Sequence, residues 1–162
     1  MKKPVTMTET NELKTYKSFD FVNQQKFKEL LEDAFGKKLI ATYFSDAQPK
    51  TIMVLEKENQ YIGAIVAEAI GNNVEYLDKI AIARNSQGNG IGKKLWTQFG
   101  AQSKKLIWRA KENNPINDFY QRNCEGFQKI NSWIIYWKGL SAKELAHALV
   151  YATTKKASFV EE

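Results

Sequence analysis

The chain has 162 residues, 43% hydrophobic and 26% charged, a balance that fits one soluble domain with a real core and excludes disorder, collagen-like repeats and coiled coil. Its single cysteine, Cys124, excludes an intrachain disulfide framework and argues against a structural zinc, so no metal is expected. The net charge is +6, but the lysines are scattered and only Arg84, Arg109 and Arg122 are arginines; this suits a small polyanionic ligand better than nucleic acid, which is not an expected partner.

Residues 1–18 are polar and Thr/Lys-rich, without apolar periodicity, and read as a tail or a loosely docked first segment. Met1-Lys2-Lys3-Pro4 lacks the apolar stretch of a signal peptide, and no arginine precedes Arg84, which argues against a transit peptide; cytoplasm is the expected location. No apolar run approaches the roughly 20 residues that span a bilayer, so no membrane partner is expected. Asn23 is placed as the N-cap of an amphipathic helix reaching Phe35. Its apolar residues Phe27, Leu30, Leu31, Ala34 and Phe35 fall at helical spacing, and Gly36 ends it. Lys37 to Phe44 fits either a short helix or a strand. Thr51–Glu56 and Tyr61–Glu68 are β-rich runs joined by the turn Lys57-Glu58-Asn59, and Gly71-Asn72-Asn73 leads into a third strand, Glu75–Ala83.

The pattern then changes. Gln87-Gly88-Asn89-Gly90-Ile91-Gly92 is a glycine-rich loop, followed by a helix near Lys93–Ser103 and a strand, Lys105–Ala110. Strand, loop, helix and strand make a βαβ unit with parallel strands and a right-handed crossover. Asn114-Pro115 punctuates, Asn117 caps a short helix to about Cys124, and Ser132–Lys138 is a strand. Ser141-Ala142-Lys143-Glu144 has the form of a capping box opening a last helix to about Thr154. The expected fold is α+β: an antiparallel meander and then a βαβ unit, with 19–140 as the main domain and 141–162 as a C-terminal helix and tail.

Alternate glycines between a strand and a helix leave backbone N–H groups bare at a helix N-terminus, which attracts a phosphate. Lys93 breaks the G-x-G-x-x-G register of a dinucleotide fingerprint, and the spacing before Lys93-Lys94 is not that of a P-loop. What remains is Gln87-x-x-Gly90-x-Gly92, which resembles the pyrophosphate loop of the Gcn5-related N-acetyltransferases. A tight turn is the alternative.

More residues carry the resemblance. Tyr76-Leu77-Asp78-Lys79, the glycine loop, Leu95-Trp96, Trp108-Arg109, Asn114-Pro115-Ile116-Asn117 with Phe119-Tyr120, and Trp133 with Trp137-Lys138-Gly139-Leu140 occur in that order. Over residues 75–140 the chain resembles the N-acetyltransferase domain of vertebrate-like N-acetylglutamate synthases and bifunctional synthase/kinases. Phe119 stands where the family usually carries tryptophan, and the amino-acid kinase domain that precedes this one in the family is not in this sequence. The resemblance implies acetyl-CoA as cosubstrate, held by Ile82, Ala83, Gln87, Gly88, Asn89, Gly90, Ile91, Gly92 and Lys93. A backbone N–H near Ile82 would polarise the thioester carbonyl.

Strict alternation puts Leu77, Lys79, Ala81 and Ala83 on one face of their strand. A lysine among apolar neighbours is costly unless its ammonium has a role. By resemblance Lys79 binds a substrate carboxylate; the alternative is an ion pair with Asp78 or Glu68. Arg109, at the carboxyl end of the next parallel strand, has the planar fork that suits a second carboxylate. Asn114 alone is a turn residue, whereas the resemblance assigns it to the substrate and to catalysis. Tyr120 is implied as the acid that protonates the departing thiolate, a role a phenol of ordinary pKa near 10 can fill. Cys124 reads as an inert buried thiol, and His147 as a partly exposed helix residue. Trp108, Trp133, Phe127 and Trp137 are expected in the core.

The function this implies is acetyl transfer from acetyl-CoA to the α-amine of L-glutamate, the first acetylation of arginine biosynthesis. An acetyltransferase for another small anionic amine, or a non-catalytic acyl-CoA-binding regulator, are the alternatives. The last helix, with Leu145, Ala148, Leu149 and Ala152 on one stripe, either packs on its own domain or makes a homodimer contact.

Overall fold

The computed structural model describes residues 11–160. Seven strands form one mixed sheet in the order β1-β2-β3-β4-β5-β7-β6: β1 Glu12–Tyr16, β2 Pro49–Lys57, β3 Gln60–Ala69, β4 Glu75–Ile82, β5 Leu106–Lys111, β6 Gly126–Ile130 and β7 Trp133–Lys138. Five α-helices accompany it: α1 Gln24–Phe35, α2 Tyr43–Asp46, α3 Ile91–Gln102, α4 Asn117–Asn123 and α5 Ala142–Thr154. The sheet is antiparallel except at β4–β5, which is parallel, so the expected meander followed by a βαβ unit is the architecture found.

Local chemistry sets most boundaries. Asn23 accepts from the Lys26 N–H at the start of α1, and Gly36 ends that helix with φ +66. Ser141 and Glu144 form the reciprocal capping box of α5. Glu58 and Asn59 both adopt positive φ (51 and 65), the twist that a two-residue β2–β3 hairpin requires.

Several elements differ from the sequence reading. Glu12–Tyr16 is no tail: it pairs antiparallel along β2 as an edge strand, because Leu13 and Tyr16 supply just enough apolar surface to dock there. Residues 1–10 of that expected segment lie outside the described residues. The ambiguous stretch after Gly36 becomes a single β-bridge at Leu39 and the short helix α2. Strand β6, unforeseen because its middle residues are polar and exposed, forms the far edge, and Phe127 on it is 53% exposed rather than core. Trp108, by contrast, is fully buried.

Both sheet faces are covered. Met53, Leu55, Ile65 and Ala67 meet α3 through Leu95 and Phe99. Ile52, Val54, Ala64 and Val66 meet α1 through Phe27 and Leu31. Helix α5 buries Ala148 and Ala152 against Tyr76, Ile107 and Ile135, so its apolar stripe packs on its own domain.

Strand β4 breaks the alternation. Val66 stands opposite Lys79 and Ala67 opposite Leu77, which leaves Asp78 as an extra, unpaired residue. One inserted residue reverses the side-chain parity. Leu77 and Ile80 therefore share the α3 face, while Lys79 lies opposite Val66 and turns with Ala81 toward the α1 face. The expected common face of Leu77 and Lys79 is thus corrected.

Asn117 is corrected too. It is the first residue of α4 and makes no cap. Its buried side chain donates to the carbonyls of Lys111 (2.9 Å) and Glu112 (3.2 Å) and accepts from the Tyr136 hydroxyl at 2.8 Å. The turn role falls to Asn114, whose Oδ1 accepts from the Ile116 N–H at 3.0 Å. Asn117 thereby ties α4 to β5 and β7. Replacing it with alanine strands the buried Tyr136 hydroxyl and removes two bonds to backbone carbonyls, and is expected to cost about 2–4 kcal/mol of stability. Urea unfolding checks this; a loss under about 0.5 kcal/mol would show the network to be dispensable.

Candidate active site

The parallel ladder between β4 and β5 runs over only two residue pairs, Glu75 with Leu106 and Tyr76 with Ile107. Beyond them the strands are no longer paired, and a cavity of about 890 Å³ lies between their C-terminal halves. Lys79 and Ile82 from β4, Arg109 from β5, Asn114 from the following turn, Tyr120 from α4, and Gln87 at the start of the glycine loop all line it. Ala83, Gly88, Asn89, Gly90, Ile91, Gly92 and Lys93 do not line it; they continue from its edge as the loop and first turn of α3.

The loop leaves donors exposed. Gly88 and Gly90 adopt φ of +88 and +77, and Gly90 is the N-cap of α3 without any side-chain cap. The first intrahelical bond is Lys94 N–H to Gly90 O, so the N–H groups of Ile91, Gly92 and Lys93 have no intrahelical acceptor. A Cβ at Gly88 or Gly90 would meet no atom within 4 Å, which leaves room for a bulky anion. Gln87 donates through Nε2 to the Ile82 carbonyl at 3.1 Å and so fixes the loop to the end of β4.

Ile82 has its own asymmetry. The Ala83 N–H donates to Ile62 O at 3.0 Å. In an antiparallel ladder neighbouring residues alternate, so the Ile82 N–H turns the other way, toward the side where β5 has left. That donor faces the opened gap.

The two cations have partners already. The Lys79 ammonium, only 8% exposed, donates to Ser158 Oγ at 2.9 Å and to Asp78 Oδ1 and the Asp78 carbonyl at 3.3 Å each. The rings of Tyr43 and Phe159 stand 5.5 and 5.4 Å from it. Burial draws the Lys79 ammonium below the ordinary lysine value, against the pull of Asp78. Burial would also raise the Asp78 carboxyl, but the Lys79 and Lys155 charges and the Tyr43 hydroxyl hold it below the usual carboxylate range. Tyr43 donates to Asp78 Oδ2 at 2.8 Å. Arg109 stacks on Trp133 at 4.0 Å and donates to Ala152 O (3.0 Å) and Lys156 O (3.4 Å). Ala152 lies in the last turn of α5, where carbonyls are unpaired and the dipole favours a cation.

Tyr120 is buried among Trp96, Trp108 and Tyr136. Burial first, and the Tyr136 phenol second, raise its own phenol above the ordinary tyrosine value. Its proton is therefore held more firmly than that of a free tyrosine. Cys124 is partly buried, its thiol raised by burial, and it is absent from the cavity lining. His147 is exposed on α5.

The ion pair of Lys79 with Asp78, one of the alternatives the sequence offered, is present at 3.3 Å; Tyr43 beside Lys79, Trp133 beneath Arg109 and above all the segment after α5 were not anticipated. Asp78 had a signal, since a carboxylate next to a buried lysine is its natural counter-charge. Ser158 and Phe159 carried none.

Residues 11–156 match the family "NAT, N-acetyltransferase, of N-acetylglutamate synthase". The chain is 33% identical over 126 residues to an acetylglutamate kinase of Xylella fastidiosa, covering 78% of this chain and 28% of that protein. It is 30% identical over 135 residues to the mitochondrial N-acetylglutamate synthase of Homo sapiens, covering 83% of this chain and 25% of that one. The chain thus spans about a quarter to a third of the length of the relatives it matches. Among solved structures, an acetyltransferase from Thermus thermophilus superposes with a TM-score of 0.61 at 18% identity, over 82% of this chain and 99% of that one. An N-acetyltransferase of Thermoplasma acidophilum in complex with coenzyme A gives 0.57 at 15%, over 78% and 98%. The chain belongs to the N-acetyltransferase domain family of N-acetylglutamate synthase and has the Gcn5-related N-acetyltransferase fold.

Proposed function

We propose that this chain transfers the acetyl group of acetyl-CoA to the α-amine of L-glutamate. The observation that carries the reading is the convergence of Lys79, Arg109, Asn114 and Tyr120 on one cavity that begins at the glycine loop. The name of the human relative and the description of the matched family agree with it. The N–H groups of the loop and of the first turn of α3 bind the coenzyme pyrophosphate. The Ile82 N–H donates to the thioester oxygen as negative charge builds there. Lys79 and Arg109 each take one carboxylate of glutamate, and the Asn114 amide orients the acceptor. The amine attacks the thioester carbon, the C–S bond breaks, and the amine's surplus proton leaves to water. Tyr120, too weak an acid when buried to give up its proton outright, donates a hydrogen bond to the departing sulfur. An acceptor panel of glutamate, aspartate, glutamine and alanine with acetyl-CoA, followed by free-thiol release, tests the whole reading. Turnover confined to acceptors without a side-chain carboxylate would overturn it.

Gly90→Val forces a β-branched residue into positive φ and reshapes the anion loop. The expected result is acetyl-CoA binding weakened by about tenfold or more in a folded protein. Calorimetric titration checks it, and unchanged affinity would remove the loop from the binding site.

Lys79→Ala or Arg109→Ala should raise the glutamate KM about 10- to 150-fold while moving the acetyl-CoA KM far less. The lowered Lys79 value adds a pH dependence with a definite sign. The ammonium is lost as pH rises through a value below that of a free lysine, so the wild-type glutamate KM climbs on the alkaline side. Lys79→Arg keeps its charge there and should flatten that climb.

Tyr120→Phe should lower kcat about 10- to 100-fold with both Michaelis constants little changed, since the bond forms only as sulfur leaves. Wild type and variant should share one pH profile, because the buried phenol does not ionise in the measured range. Single-turnover rates equal to wild type would leave Tyr120 as a packing residue.

A further inference from the structure

Residues 157–159 follow α5 and lie beyond the span matched to the family, which ends at residue 156. They nevertheless line the cavity, Ala157, Ser158 and Phe159 alike. The segment is anchored along its length. Lys155 pairs with the buried Glu68 at 2.7 Å, and Lys156 with Asp46 at 3.1 Å. The Ser158 carbonyl accepts from Ile40 N–H at 2.9 Å, Val160 N–H donates to Lys38 O at 2.8 Å, and Phe159 packs on Phe35 with ring centroids 4.9 Å apart. A strap held by two ion pairs, two backbone bonds and a ring contact is a fixed wall.

Ser158 is the member of that wall that touches chemistry. The shortest bond the Lys79 ammonium makes is to its neutral hydroxyl, at 2.9 Å. The two Asp78 contacts, at 3.3 Å, are long for a charge-assisted bond, which favours 2.7–2.9 Å. Asp78 also shares its charge with Tyr43. The ammonium is therefore still short of a close anion. A hydroxyl that accepts from Lys79 keeps its own proton to donate, and a carboxylate entering the cavity beside Lys79 is the acceptor that needs it.

We propose that Ser158 is an acceptor-binding residue, its hydroxyl and the Lys79 ammonium holding one carboxylate of the acceptor between them against the wall formed by residues 157–159. This rests on the glutamate reading above and extends its pocket to a segment outside the matched family span.

Steady-state kinetics of the full chain with glutamate and acetyl-CoA, for wild type, Ser158→Ala and Ser158→Thr, test it. The expected result for Ser158→Ala is a glutamate KM raised about tenfold or more, with kcat and the acetyl-CoA KM within about twofold and an unchanged melting temperature. Ser158→Thr, which restores a hydroxyl, should return the glutamate KM to within about threefold of wild type. A Ser158→Ala enzyme with unchanged glutamate KM overturns the proposal while leaving the glutamate reading intact. So does a lowered KM, which would make the hydroxyl a stand-in that substrate must displace, and so do equal losses in both variants. A wild-type protein that turns over no glutamate overturns the reading itself, and the Ser158 assignment with it.

Discussion

Everything that can do chemistry in this molecule depends on the place where β4 and β5 stop pairing. Two parallel pairs, at Glu75–Leu106 and Tyr76–Ile107, hold the halves of the sheet together, and after them the backbone edge of β4 is open. An unpaired edge inside a sheet is costly unless its donors find partners. Here the loss is offset on both flanks. Antiparallel pairing of β4 with β3 and of β5 with β7 continues past the split, and the core beneath it carries the stacked Trp108 and Tyr136. The gap thus keeps a rigid floor and walls, with a backbone donor at Ile82 facing into it.

The inserted residue at Asp78 does the second part of the work. Without it Lys79 would follow the strict alternation that places Leu77 on its face. With it Leu77 stays in the α3 core, while Lys79 and Asp78 are delivered as a neighbouring charged pair beside the gap. A buried ammonium is tolerable only when it is paired and hydrogen-bonded. Ser158 at 2.9 Å, the longer Asp78 contacts at 3.3 Å and the Tyr43 ring meet that condition in part. The same arrangement keeps the lysine from folding back into solvent. Arg109 is treated alike, stacked on Trp133 and bonded to carbonyls at the end of α5. Both cations are thereby fixed in place at the cavity wall, with much of their side-chain entropy already lost in the fold.

How much of this was legible in the sequence follows from range. Caps, turns and the βαβ unit are written within a few residues, as at Asn23, Ser141 with Glu144, and Gln87–Gly92, and they came out where the residues put them. The parity of β4 was not legible, because a bulge is fixed by the register against β3 and the local residues Leu77-Asp78-Lys79 read equally well as plain alternation. Asn117 misled for a related reason. A residue that is a good N-cap in isolation was drawn instead to Tyr136, nineteen positions away, because leaving that buried hydroxyl unpaired costs more than a missing side-chain cap. Strand β6 was missed since an edge strand with polar, exposed positions has no apolar rhythm to read.

The site divides along the same line. The glycine loop is a local device: glycines, a helix start and one glutamine that ties it to β4. Such a device can be shared by many proteins that use one cosubstrate, which is why it reads so readily from sequence. The rest of the cavity is assembled from β4, β5, the α4 turn and the segment after α5, parts separated by up to 79 positions between Lys79 and Ser158. No short motif can encode a contact of that span. The walls of the cavity therefore rest on tertiary contacts, whereas the loop is tied down by the local bond from Gln87 to Ile82. A cavity whose loop is encoded locally and whose walls are encoded at long range separates the two in the sequence, so that a substitution in one need not disturb the other.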